Sequence, residues 1–92
     1  MAKAVVTLKI MPSDVEADLE AIEQAALEKI TDFSHNDDTK TEVEPVAFGL
    51  KALKIMFVMD ESQGDTEELE KAIASLDSVM SCETTDVRRA IG

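Results

Sequence analysis

The chain reads as an α+β sandwich in which one four-stranded antiparallel sheet carries two helices on one face, in the order β-α-β-β-α-β. Three observations predict it. Two segments space their apolar residues by threes and fours, as helices do, and four are rich in β-branched residues, as strands are. Proline, glycine and aspartate fall between those segments. The first and third strand segments hold apolar residues on both parities, which fits strands with a neighbour on either side. Right-handed crossovers place these same two strands at the centre.

Lys3 to Met11 contains Val5, Val6, Thr7, Leu8 and Ile10 with no breaker, and is the first strand. Pro12-Ser13-Asp14 ends it and opens a helix, with Ser13 or Asp14 as the expected N-cap. Val15, Leu19, Ile22, Ala26 and Ile30 then form one helical face, opposite Glu16, Asp18, Glu20 and Glu23. The early acids suit the positive end of the helix dipole. Thr31 to Thr39 is polar and reads as a connection. Thr41 to Val46 alternates polar and apolar residues, the pattern of a half-exposed strand. Leu50 to Met59 is the most apolar segment and should be central. Asp60 to Gly64 is a turn, Asp65 or Thr66 caps a second helix, and Leu69, Ala72, Ile73 and Leu76 form its buried stripe. Val79 to Val87, with β-formers Val79, Thr84, Thr85 and Val87, is the last strand. The arrangement is the ferredoxin-like sandwich.

Ninety-two residues suit one domain, 1–92. A chain this short buries only about 60% of its unfolded surface, and dividing that core would leave neither half stable. Asp and Glu number 20 against 9 Lys and Arg, a net charge of −11. Such a field repels phosphate backbones and anionic lipid, so direct nucleic-acid or membrane binding is not expected. A basic partner is drawn faster at low salt. Three Phe with no Tyr or Trp serve base stacking poorly. The central strands carry Val, Ile, Leu and Met, where sheet-face RNA readers of this fold need aromatics. Cys82 is the one cysteine, which excludes an internal disulfide and suits a reducing compartment. The N-terminus shows no continuous apolar leader, and no window approaches the roughly 18 apolar residues of a membrane span. A soluble, cytoplasmic protein is expected.

No catalytic nucleophile assembles, since Cys82 has no histidine nearby in sequence and reads as a buried strand residue. His35, near Asp37 and Asp38, reads as part of a solvated loop rather than a cation site. Asp14, Glu16 and Asp18 imitate the opening of a calcium loop but lack its glycine and distal glutamate. Three unclustered glycines cannot cradle a phosphate. No enzymatic activity, metal or cofactor is therefore expected. Two features remain. Phe48, beside Gly49 at a hairpin mouth, suits an exposed aromatic anchor, although a Phe at a strand end ordinarily belongs to a core. Arg88 and Arg89 place two cations at the tip of an acidic molecule, and arginine recognises carboxylate and phosphate.

The run from Glu44 to Asp60 closely resembles the central motif of the exchange domain of translation elongation factor 1-beta. That motif is a Pro, a Val or Ile, a small residue, an aromatic, Gly, Ile or Leu, then Lys and an apolar strand. Pro45, Val46, Ala47, Phe48, Gly49, Leu50, Lys51 and Leu53 satisfy it without a gap. The acidic turn Asp60-Glu61, the helix start Asp65 to Leu69 and Val79-x-Ser81 also fit. The resemblance covers essentially all 92 residues, in the bare form of the archaeal factor. It implies guanine-nucleotide exchange on the GTPase elongation factor 1-alpha, bound in its GDP and nucleotide-free forms; a monomer is expected. It also implies that Phe48, before Gly49, contacts the GTPase, and that the end of the last strand approaches the magnesium and phosphate region of the partner's nucleotide. Arg89 falls where the family carries a lysine, and Ala90, Ile91 and Gly92 follow it. A rival reading is a small regulatory or ligand-binding module that dimerises through sheet edges or faces, but the glycine-rich loops of such modules are missing. An acylphosphatase-like hydrolase would need an arginine in a phosphate cradle after the first strand, where Met11-Pro12-Ser13-Asp14 stands.

Overall fold

A computed structural model of the chain describes residues 3–35 and 38–90. Asp37, which the sequence sets near His35 and Asp38, and the final Ile91 and Gly92 lie outside the described residues. The elements are β1 (Lys3–Pro12), α1 (Leu19–Ser34), β2 (Thr39–Pro45), β3 (Lys51–Asp60), α2 (Glu67–Ala74) and β4 (Val79–Ala90). A single 3-10 turn precedes β3 (Ala47–Gly49) and another follows it (Glu61–Gln63). The sheet order is β2-β3-β1-β4 and every described pair is antiparallel, so the two strands read as central are central.

The core lies between the sheet and the helices. On β1, Ala4, Val6, Leu8 and Ile10 turn to the helices and are buried, as are Leu53, Ile55, Phe57 and Met59 on β3. From the other side come Ile22, Ala26 and Ile30 of α1 with Leu69 and Ile73 of α2. Fully burying each large apolar side chain contributes about 1.5–3 kcal/mol. On β1 the opposite parity, Val5, Thr7, Lys9 and Met11, is half-buried by neighbouring strands, which explains its mixed composition. Among the described residues no helix is long and apolar enough to cross a membrane.

Several boundaries depart from the sequence expectation: β2 begins at Thr39 instead of Thr41, and α2 ends at Ala74, so Leu76 of its expected stripe lies beyond the helix. α1 begins at Leu19, and its N-cap is Asp18, whose Oδ1 accepts the Ala21 N–H at 3.2 Å. Ser13 and Asp14 serve elsewhere: Ser13 N–H donates to the Ser78 carbonyl at 2.8 Å, and Asp14 Oδ1 accepts Glu16 N–H at 2.8 Å in a turn of its own. Val15 thereby leaves the expected apolar stripe and is exposed. At its other end α1 continues through Thr31 to Ser34, because Phe33 meets Phe57 edge-on at 6.4 Å and Ser34 is buried. His35 then stops the helix at φ 57, its N–H donating to the Thr31 carbonyl. For α2, Thr66 holds the N-cap position while Asp65 Oδ1 accepts the Glu67 N–H at 3.1 Å. Finally, β4 runs three residues past Val87, so Arg88 and Arg89 lie within a paired strand.

Candidate functional site

The β2–β3 hairpin closes with Pro45 opposite Lys51 and Val46 N–H bonded to the Leu50 carbonyl at 2.8 Å. Leu50 N–H returns to the Ala47 carbonyl at 3.3 Å, so Phe48 and Gly49 occupy the two central positions of a turn. Both have positive φ, 63° for Phe48 and 77° for Gly49. Successive left-handed residues give a turn the twist that matches flanking strands. Glycine adopts that region freely, whereas an L-residue there costs roughly 1–2 kcal/mol. Phe48 bears that cost with its ring in solvent, 94% exposed. The ring is therefore no part of the core.

Val15 lies against the same turn: a methyl placed on Gly49 would meet Val15 Cγ1 at 3.7 Å. Phe48 and Val15, both exposed, give this end of the sheet an apolar tip. A cleft of about 270 Å³ beside it is lined by Pro12, Asp14, Val15, Leu19, Gly49 and Lys51. Sequence reasoning missed Val15, whose four-residue spacing to Leu19 imitates a helix face, and no other signal in the sequence marks it.

The arginines lie at the opposite end. Arg88 pairs with Val5 and Arg89 with Ala4, so the two point to opposite faces of the sheet. Arg88 Nε is 2.8 Å from Asp86 Oδ2 on its own strand, at the rim of an open groove of about 700 Å³ that also involves Val5, Thr7, Lys54, Met56 and part of Arg89. Arg89 Nε is 2.9 Å from Glu61 Oε1. Glu61 belongs to the 3-10 turn after β3, which is fixed by a reciprocal cap: Asp60 Oδ1 accepts Ser62 N–H at 2.9 Å, and Gln63 Oε1 accepts Asp60 N–H at 3.3 Å. Gln63 Nε2 also donates to the Phe33 carbonyl, tying the turn to α1. Phe48 with Gly49 and Arg88 with Arg89 are thus brought to opposite ends. Nine strand steps along β3 separate those ends by about 30 Å, most of the molecule's 41 Å length.

The titrating groups fit this frame. The Ser62 N–H at Asp60 holds that carboxyl below its usual range. On the open face, the hydrogen bond and charge of Lys54, 2.7 Å from Glu44, lower the Glu44 carboxyl and raise the Lys54 ammonium. Burial, with Glu70 and Glu83 nearby, pushes the Cys82 thiol up to about 12, which keeps it neutral and unreactive.

Comparison with known proteins gives a consistent result. A family model described as the EF-1 guanine nucleotide exchange domain matches residues 5–90. Elongation factor 1-beta of Methanobrevibacter smithii is 45% identical over 92 residues, covering 97% of this chain and 98% of its own. Elongation factor 1-beta of Methanosphaera stadtmanae is 42% identical over 89 residues with the same coverage. Among solved structures, the de novo designed protein Foldit4 matches with a TM-score of 0.60 at 19% identity, covering 98% of each chain, a likeness of fold alone.

Proposed function

The chain belongs to the family of EF-1 guanine nucleotide exchange domains, and we propose that residues 1–92 act as one monomeric domain promoting GDP release and GTP loading on elongation factor 1-alpha. The observation that carries this reading is the family match from residue 5 to residue 90. The exposed Phe48 ring on left-handed backbone supports it, because strained residues persist where function holds them.

Exchange of this kind needs no covalent chemistry. A protein that prefers the nucleotide-free GTPase weakens nucleotide binding by the same factor that nucleotide weakens its own. The GDP/GTP ratio then sets the outcome, and the factor sets only the rate. With its functional ends about 30 Å apart, the domain grips its partner at two points. Phe48 anchors at one end, and an arginine of β4 reaches the partner's phosphate and magnesium region from the other, competing for the groups that hold the metal.

The test is release of fluorescent GDP from elongation factor 1-alpha with excess unlabelled nucleotide. Substoichiometric amounts of this protein should accelerate release. Unchanged release at saturating protein, with an authentic factor active in the same assay, overturns the reading.

A further inference from the structure

The pairing of β4 with β1 shifts by one residue between Thr7 and Leu8: Leu8 faces Thr84 and Thr7 faces Asp86, leaving Thr85 as an extra residue on β4. This bulge decides which way the strand end points. Side chains alternate strictly, so a one-residue slip exchanges the two faces. In an unbulged ladder continuing from Leu8–Thr84, Ala4 would oppose Arg88 and Lys3 would oppose Arg89. The arginines would trade faces.

A carboxylate from another element sits at the bulge. Thr84 N–H donates to Glu70 Oε2 at 3.2 Å, and the Thr84 hydroxyl donates to the same oxygen. Thr66 Oγ1 lies 3.2 Å from that oxygen and 2.9 Å from Thr84 Oγ1. β4 is an edge strand, whose outward N–H groups have no ladder partner. Glu70 supplies one such partner at the residue where the ladder breaks. Its charge strengthens each of these hydrogen bonds, and its position in the first turn of α2 makes it a rigid support.

The geometry points to Glu70 and Thr84 as positioning residues for exchange: they pin the bulge at Thr85 and so fix the faces on which Arg88 and Arg89 are presented. The inference rests on the exchange reading for its functional part, while its structural part stands on the register alone.

The experiment combines NMR of the free protein with the GDP-release assay. Glu70→Ala should transfer a measurable part of the Val5–Arg88 cross-strand contact to Ala4–Arg88. It should also lower the maximal exchange rate, by about tenfold where the slipped register dominates, with the half-saturating concentration changed less than about twofold. Glu70→Gln, which keeps an accepting oxygen, should retain most of the rate. Deleting Thr85 from the Glu70→Ala protein restores an unbroken ladder with Arg88 on Val5 and Arg89 on Ala4, and should restore the rate. If Glu70→Ala does not fold, Thr84→Val removes one donor at unchanged chain length and should give the same transfer at smaller amplitude. A bulged register unchanged in the variant, or a folded double variant that stays slow, overturns the proposal. A parent protein inactive on the GTPase overturns the exchange reading instead, and the NMR comparison still decides the clamp.

Discussion

Replacing Phe48 with Gly should stabilise the fold while impairing exchange. The ring is 94% exposed, so deleting it forfeits almost no burial. The backbone, at φ 63° and ψ 28°, is in a region that costs an L-residue roughly 1–2 kcal/mol and glycine almost nothing. Glycine's greater freedom in the unfolded chain offsets part of that gain, leaving a net of about 1 kcal/mol. In a domain of this size that corresponds to a rise of about 4–8 °C in Tm. Loss of an interface anchor, by contrast, costs about 2 kcal/mol or more, a weakening of roughly thirtyfold. Phe48→Ala removes the same ring but keeps a β-carbon on the strained backbone, so its Tm should stay near the parent's while its exchange falls equally. Calorimetry of the three proteins, with GDP release titrated against each, separates the two effects. A Phe48→Gly protein that melts several degrees lower refutes the strain argument. One that melts higher yet exchanges at the parent rate refutes the anchor.

Arg89→Ala should lower the maximal exchange rate while leaving association and its salt dependence nearly intact, and Arg88→Ala, on the opposite face, should matter less. Both ion pairs are largely exposed, so neither substitution should cost more than about 1 kcal/mol in denaturant unfolding; equal, small effects on exchange would make the strand end a solvated tail. Cys82, with its thiol pushed up to about 12, should react slowly with thiol reagents at pH 8 in the native state and quickly in denaturant. Because the native thiol holds its proton more tightly than the unfolded one, its contribution is complete below about pH 8.5 and declines as pH rises further. Cys82→Ala should therefore flatten the alkaline loss of stability, and an unchanged pH profile would refute this.

Much of the fold follows from local pattern. The spacing of Ile22, Ala26 and Ile30 specifies which helix face is buried before any partner is known, because periodicity is a property of a single segment, while the apolar residues on both parities of β1 and β3 mark those strands as central without saying which face meets the helices. The order of elements and the central strands follow from the same information. Gly49, between two strand patterns, marks the hairpin. What the sequence could not fix depends on contacts between distant segments. Val15 fits the helix pattern yet stays outside α1, because Ser13 is bound to Ser78 and the cap falls to Asp18. Thr31 to Ser34 read as polar connection but stay helical, because Phe33 packs on Phe57. The exposure of Phe48 comes from a turn geometry that composition alone leaves open. The facing of Arg88 and Arg89 hangs on one extra residue at Thr85, held from α2. A register is a relation between two strands, and only tertiary hydrogen bonding sets it.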